Sequence, residues 1–291
     1  MTTSTLIAGA INGLLLGGLY VIIALGLSMV FGVMRLVNVT HGDLLVLSAY
    51  LNFVITDALG INPFAATLIV MPILFIVGYG IQRLVLNPVM SKGMEPALLM
   101  AFGISIIAQN GMIIAWGGDS RSLSTDFSTS GVVFLGVHIP VMYVLAFVLS
   151  FIEVGAVYIF INRTYMGKSI RAATQDPQTA GVLGVNINHV YAITYGIGAA
   201  TAALGGLLIG LTFSFAPAAG FNWLLKCFVV VVLGGMGSIP GTLAGGLLLG
   251  LTEGIGAAIL GTGFRDMIGY LIFLLVLLIR PRGLFGQVGT E

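Results

Sequence analysis

Long uncharged stretches decide what this 291-residue chain can fold into. No charged residue occurs before Arg35, and beyond it the charged residues separate further apolar segments. Only 7% of the residues are charged and 58% are hydrophobic, whereas about 25% of the residues of a soluble domain are charged. A disordered chain would combine low hydrophobicity with high charge. The composition therefore predicts a polytopic membrane protein, and it excludes a soluble globule and a disordered chain.

The apolar segments predict eight or nine inserted helices, some of them short or broken. A helix needs about 20 mostly apolar residues to cross the hydrocarbon core of a bilayer. Only helices satisfy their own backbone groups in lipid, so the predicted fold is an all-α bundle forming a single domain, residues 1–291. The polar segment 118–140, which includes Asp126 and Thr129, is predicted to be an external loop. The candidate helices cover about 6–34, 40–57, 63–84, 97–117, 141–162, 190–212, 226–236, 241–257 and 266–280.

The distribution of lysine and arginine predicts the orientation in the membrane. If alternate connections lie on one side, that side holds eight of the 11 basic residues, and basic residues favour the cytoplasmic side. The N-terminus is then outside and the C-terminus is cytoplasmic. Residues 163–189 become the longest cytoplasmic connection. The eight residues are Arg35, Arg83, Lys92, Arg163, Lys168, Arg171, Arg280 and Arg282.

Several other functions are excluded by the residues present. A net charge of +1 gives no field strong enough to hold nucleic acid. One cysteine, Cys227, allows no disulfide framework and no thiolate metal cluster. Gly167-Lys168-Ser169 suggests a phosphate loop, but Asn162 stands where that motif requires glycine. We therefore expect no metal, no cofactor and no ATP bound through a phosphate loop.

The cytoplasmic connection predicts two short helices. The first covers about 166–174, and the second begins with Asp176 as N-cap and Pro177 in its first turn and stops at Gly184. Their apolar side could dock into a groove of a soluble partner. Alternatively, the basic residues could rest on anionic lipid headgroups. The apolar side consists of Ile170, Ala173, Ala180 and Leu183.

Three segments predict interrupted helices. Residues 38–43 cluster capping and turning residues and predict a junction at the membrane face; 213–225 is broken by proline and glycine; 233–246 contains six glycines. Interrupted helices in transporters often border the substrate path, although 233–246 could also be a tight cytoplasmic turn. The candidates for the path or for helix breaks are Asn38, His41, Gly42, Asp43, Pro217, Gly220, Gly234, Gly235, Gly237 and Pro240.

Glycines at four-residue spacing permit close helix contacts in lipid. They either hold one bundle together or contact a second membrane subunit. Glu153 lies deep in a predicted span and is expected to hydrogen-bond inside the bundle, whereas Lys226 and Glu253 are expected nearer to helix ends. The spaced glycines are Gly9, Gly13 and Gly17; Gly246, Gly250 and Gly254; and Gly206 and Gly210.

Four motifs in order give the chain a resemblance to a known family along essentially its whole length. They are Asn38-Val-Thr-His-Gly-Asp43; Gly167 with Arg171-Ala172, Gln175-Asp176, Ala180 and Gly184-Val-Asn186; the glycine run 233–246; and Arg280-Pro-Arg-Gly-Leu-Phe-Gly286. Together they resemble the permeases of ABC importers for branched-chain amino acids, of the LivH type. This chain has Thr40 where the family usually has alanine.

The resemblance implies a non-enzymatic transporter subunit of the inner (plasma) membrane. In that family two homologous permeases form the path through the lipid bilayer, two ATP-binding subunits drive it, and a periplasmic binding protein delivers the substrate. Residues 163–185 would be the coupling element, with Arg171 and Asp176 fixing the joint. The implied coupling residues are Gly167, Lys168, Arg171, Ala172, Gln175, Asp176, Ala180 and Gly184.

The substrate is left open by the sequence. Branched-chain or other hydrophobic amino acids are expected, and permeases that look alike carry urea, short amides or aromatic acids. From a different class, an ion-coupled secondary carrier using Glu153 is the alternative, and a passive channel is a weaker one.

Overall fold

A computed structural model describes residues 3–125, 127–128, 130–134, 136–280 and 283–285. Within these residues nine helices are long and apolar enough to cross a membrane. This confirms the predicted all-α polytopic bundle with eight or nine inserted segments. Asp126 and Thr129 of the 118–140 segment, and Pro281, Arg282 and Gly286 of the closing motif, lie outside the described residues.

Twelve α-helices form the bundle in the part of the chain that the structure describes, and several begin at a side-chain cap. Asn62, Asn186 and Ser238 each accept a hydrogen bond from a backbone amide of the helix that follows. A π-helical stretch, Ile81–Leu86, joins α3 to α4, so that both belong to one span. The helices are α1 Thr3–Met34, α2 His41–Leu59, α3 Pro63–Gly80, α4 Asn87–Met90, α5 Met94–Trp116, α6 Val141–Arg163, α7 Tyr165–Gln175, α8 Pro177–Val182, α9 Ile187–Thr212, α10 Gly220–Gly234, α11 Ile239–Leu260 and α12 Arg265–Ile279.

A small β-hairpin, which the sequence analysis did not predict, lies between α5 and α6. Strands β1, Gly131–Phe134, and β2, Val137–Pro140, pair antiparallel. Gly136 in the intervening turn has a φ of 78°, which glycine adopts without steric cost. Both strands contain β-branched residues, which favour extended backbone.

Helix α1 forms the centre of the bundle, and residues 16–30 are all buried. It runs antiparallel to α11, with the backbones in close contact. A Cβ atom built on Gly13 would lie 2.5 Å from the carbonyl oxygen of Gly250, and one on Gly17 would lie 2.8 Å from that of Gly246. Gly9 packs in the same way on Gly254. These glycine stripes therefore hold one chain together, as the first of the two interpretations predicted.

Substitution of Gly13 by alanine tests this contact. The added methyl group must separate α1 from α11, and we expect a loss of about 1–3 kcal/mol of stability, the usual cost of overpacking. Gly111→Ala in α5 is the matched control, because a Cβ there meets no atom within 4 Å. The measurement is thermal unfolding of the purified protein in mild detergent. Equal unfolding midpoints for the two variants would contradict the assignment.

Candidate functional site

The first interruption, between α1 and α2, lies inside the bundle. Arg35 has a φ of 53°, and the chain then turns back along α1. At the start of α2, the His41 ring hydrogen-bonds to the carbonyl oxygen of Ile23, with 2.8 Å between Nε2 and the oxygen. Ile23 lies three turns before the end of α1, about 16 Å along the helix axis. The segment therefore folds back along α1 and is buried in the bundle, which the predicted junction did not include.

Side chains satisfy several polar atoms of this interruption. The Asn38 Oδ1 atom accepts hydrogen bonds from the Thr40 amide at 3.1 Å, the Thr40 hydroxyl at 2.6 Å and the Tyr195 hydroxyl at 2.9 Å. The Thr40 and Tyr195 hydroxyls also contact each other. All three side chains are buried. The Thr40 hydroxyl thus helps to satisfy the Asn38 side chain within the protein.

The second interruption lies between α9 and α10, and the helices on either side of it run opposite to those of the first interruption. Helix α9 is antiparallel to α1, since Gly198 packs on Gly26 and Gly205 packs on Ile23. After α9 the chain turns back at residues 213–219, with Pro217 buried in a short 3₁₀ turn. Along α10, the Cys227 Sγ atom lies 3.1 Å from the carbonyl oxygen of Ile23, the same oxygen that His41 contacts. Each pair thus consists of a long helix followed by a helix that starts within the bundle, and the two pairs are inverted.

The first turns of α2 and α10 meet, and this crossing brings several predicted residues together. A Cβ atom on Gly42 would clash with the Gly220 carbonyl, and one on Gly220 would clash with the Asp43 carboxylate. Only glycine therefore permits this approach. Asp43 accepts a hydrogen bond from the Ser105 hydroxyl of α5. Asn38, His41 and Pro217 belong to the segments that lead into the crossing.

The glycine run lies elsewhere, at the turn between α10 and α11. Gly235 and Gly237 have φ values of 102° and 81°, and the α-helix resumes at Ile239. Pro240 is in the first turn of α11, so the interruption is shorter than predicted, and Gly241–Gly246 are helical. Gly237 packs on Gly32 near the end of α1, and the amides of Leu284 and Phe285 donate to the carbonyls of Leu233 and Gly234 at 2.9 and 3.0 Å. The structure therefore separates Gly234, Gly235, Gly237 and Pro240 from the crossing, and it favours the tight turn.

The two short helices predicted between α6 and α9 are present as α7 and α8. Asp176 caps α8 as predicted: its carboxylate accepts from the amides of Gln178 at 2.9 Å and Thr179 at 3.1 Å. A hydrogen bond from the Thr179 hydroxyl, together with these amides, holds the pKa of the Asp176 carboxyl below its usual value. Helix α8 ends at Val182, slightly before Gly184, which has a φ of 89°.

Three of the four residues of the predicted apolar side face the bundle and not a partner, which corrects the docking prediction for them. Ile170, Ala173 and Ala180 are buried within this chain, because the helices themselves cover the ends of the spans. Gly167 is buried against the backbone of Phe160 and Ile161. Val182 and Leu183, by contrast, have exposed fractions of 88% and 79%.

The polar residues of α7 and α8 remain on the outer side. Arg171 is exposed and donates to the Asn162 side chain at 2.6 Å. Ala172 is half-buried. A cavity of about 670 Å³ separates the α7–α8 junction from the ends of α1 and α4, with Gln175 and Asp176 on one wall and Arg35 on the other. The exposed polar positions are Lys168, Arg171, Gln175 and Asp176.

A buried ion-pair cluster was missed by the sequence analysis. Lys226 of α10 forms an ion pair with Glu253 of α11, and its Nζ atom lies 2.8 Å from the Asp266 carboxylate. The Tyr20 hydroxyl donates to Glu253 at 2.6 Å. Lys226 and Glu253 are both buried, which the sequence analysis did not predict. The available signal was the opposite charge of two residues in separate apolar segments, since charges inside membranes usually pair.

Glu153 also differs from the prediction. It is buried, but its carboxylate oxygens have no hydrogen-bond partner among the described residues. The expected hydrogen bond inside the bundle is therefore not present in the part of the chain that the structure describes.

Comparison with known proteins agrees with this architecture. Residues 9–279 match the family described as "Branched-chain amino acid transport system / permease component". The chain is 33% identical to the high-affinity branched-chain amino acid transport system permease protein BraD of Pseudomonas aeruginosa, over 97% of this chain and 96% of that protein. It is 35% identical to LivH of Escherichia coli K12, described in the same words, over 96% and 95%. No solved structure matches the chain significantly.

Fold and site together define a multi-pass transport protein of the inner membrane. The chain belongs to the branched-chain amino acid permease family, as its sequence motifs predicted. Its relatives are transport permease subunits, in agreement with the prediction of a transporter subunit.

The hydroxyl network at the first interruption yields a testable prediction. Tyr195→Phe removes one donor from Asn38 and Thr40, and we expect a loss of about 1 kcal/mol of stability, the usual net value of a hydrogen bond. Tyr158→Phe is the control, because Tyr158 lies half-exposed on α6. Thermal unfolding in detergent measures both. A Tyr195→Phe midpoint equal to that of the unaltered protein would show that the network does not stabilise the interruption.

Proposed function

We propose that this chain is one membrane subunit of an ATP-driven importer for branched-chain or other hydrophobic amino acids. A second homologous permease completes the path, two ATP-binding subunits power it, and a periplasmic binding protein delivers the substrate. The observation that carries the proposal is the match to a branched-chain permease family over residues 9–279. The N-terminus is outside and the end of the bundle that carries α7 and α8 is cytoplasmic, because most basic residues lie on that side.

The contact with an ATP-binding subunit is assigned to the outer surface of α7 and α8. Lys168, Arg171, Gln175 and Asp176 supply exposed polar groups there. Arg171 provides charge-assisted hydrogen bonds to a partner, and the cap at Asp176 keeps α8 in shape. The exposed apolar tip at Val182 and Leu183 supplies the surface that a groove of a soluble partner would cover.

The buried side of the same helices links this contact to the path. Ile170 and Ala173 are fully packed within the bundle, so a displacement of α7 moves the helices beneath it. Helix α7 contacts α6, α9 and α1, and α9 in turn packs on α2. We therefore assign the crossing of α2 and α10 as the element that rigid-body movement opens alternately to either side.

Reconstitution into vesicles with the two ATP-binding subunits, the second permease and the binding protein tests this function. We expect leucine uptake that requires all partners and ATP. Arg171→Glu reverses the charge of the contact. We expect the variant to remain in the membrane, but its uptake falls and ATP hydrolysis becomes uncoupled from uptake. Lys92→Glu is the matched control, because Lys92 is an exposed basic residue on the same side but outside α7 and α8.

Two results would contradict the proposal. Uptake by the purified chain without ATP-binding subunits would remove the importer assignment. Normal coupling in Arg171→Glu would contradict the assignment of the contact to α7 and α8.

An ion-coupled carrier is the second candidate, because Glu153 is a buried carboxylate without a described partner. The two functions predict opposite outcomes for Glu153→Gln. The amide keeps the shape of the side chain but cannot bind and release a proton. If the chain is an importer subunit, we expect uptake within about twofold of the unaltered protein, because the amide has nearly the same shape as the carboxyl group and isosteric changes are tolerated best. Loss of uptake, combined with inhibition by an ionophore, would favour the carrier.

A further inference from the structure

A cavity of about 440 Å³ lies between α10 and α12, beside the ion-pair cluster. Small-molecule sites commonly have volumes of about 300–1,000 Å³ and combine apolar walls with a few polar groups. Phe213 and Trp223 form part of this wall, with ring centroids 5.6 Å apart. Tyr270 of α12 also lines the cavity. The cavity thus offers aromatic surface next to charged side chains.

Three charged residues line this cavity, Lys226, Arg265 and Asp266, and Glu253 pairs with Lys226 without lining it. Glu253 is fully engaged, since one oxygen pairs with Lys226 and the other accepts from Tyr20. Lys226 also pairs with Asp266 and lies 5.2 and 5.5 Å from the ring centroids of Tyr20 and Tyr270. The buried pair of Lys226 and Glu253 is therefore satisfied by the protein itself.

Arg265 and Asp266 are not satisfied in the same way. The Nε atom of Arg265 is buried without a hydrogen-bond partner among the described residues, and it lies 3.6 Å from the Glu253 carboxylate. The side chain of Asp266 is 67% exposed, although one of its oxygens contacts Lys226. Arg265 thus keeps donors for a carboxylate, and Asp266 keeps accepting capacity for an ammonium group. Both residues line the cavity.

We propose that this cavity binds an α-amino acid zwitterion with an apolar side chain. Arg265 binds the carboxylate, Asp266 binds the ammonium group, and Phe213, Trp223 and Tyr270 contact the side chain. A zwitterion adds no net charge to a cluster that is itself neutral, so its binding leaves no uncompensated charge inside the membrane. The inference rests on the proposed import function, and it places selection of the head group in the permease as well as in the binding protein.

The location connects this site to the crossing of α2 and α10. Lys226, Trp223 and the crossing residue Gly220 all belong to α10. A movement of α10 that opens the crossing therefore also displaces one wall of the cavity.

Photo-crosslinking with a diazirine analogue of leucine tests the site in the purified complex with its partner subunits, without nucleotide and without the binding protein. We expect labelled peptides from 213–226 and 262–270, displaced by unlabelled leucine. Competition by 4-methylpentanoic acid, which lacks the ammonium group, and by 3-methylbutylamine, which lacks the carboxylate, should be weaker by about tenfold or more, as expected for loss of a charge-assisted hydrogen bond.

Two variants assign the groups individually. Asp266→Asn should weaken competition by leucine and leave that by 4-methylpentanoic acid unchanged. Arg265→Gln should weaken competition by leucine and leave that by 3-methylbutylamine unchanged. Asp119→Asn, at an exposed carboxylate on the same side of the bundle, is the control and should change nothing.

The outcomes separate this inference from the proposed function. Two results in the unaltered complex would overturn the proposed site, even if a variant fails to fold. One is labelling confined to other segments, and the other is equal competition by leucine and both analogues. If ATP-driven uptake persists in that case, only the site is lost. Uptake that needs no ATP-binding subunit instead overturns the proposed function, wherever the label is found.

Discussion

The backbone contact between α1 and α11 is the interaction on which the rest of the structure depends. In lipid, helices gain little from burying apolar side chains, so close approach must come from small residues and interhelical hydrogen bonds. Gly9, Gly13 and Gly17 let α11 pack directly on α1. That approach carries Glu253 to the hydroxyl of Tyr20, while α9 packs on α1 and α2 packs on α9. The central position of α1 is thus a result of its glycines.

The interruptions obey the rule that irregular backbone inside a membrane must find its hydrogen-bond partners within the protein. Asn38, Thr40 and Tyr195 meet this requirement for the segment before α2. The carbonyl of Ile23 receives a contact from each interrupted helix, through His41 and Cys227. The close approach of Gly42 and Gly220 then leaves room for the two helix starts to lie side by side.

Sequence patterns predicted the helices better than they predicted which of their residues are buried. Charge-free runs revealed the spans because a bilayer excludes unpaired charge, and the Asp176-Pro177 pair revealed the start of α8 because capping is local. The depth of His41, the pairing of Lys226 with Glu253 and the inward face of Ile170 depend on which helices become neighbours. Contacts between residues far apart in the chain decide which helices become neighbours, so a local sequence pattern cannot predict the neighbours. The glycine spacing of α1 and α11 showed that each helix had a close neighbour, but it did not show that the neighbour was in the same chain.

The closing segment of the chain sets the mechanics of α10. Leu284 and Phe285 form a short backbone tether to Leu233 and Gly234, at one end of that helix, while the other end stops in the interior beside Asp43. When a helix is held at one end, a tilt about that end moves the other end furthest. A tilt of α10 about this tether would therefore displace Gly220, at the crossing with α2, more than Gly234.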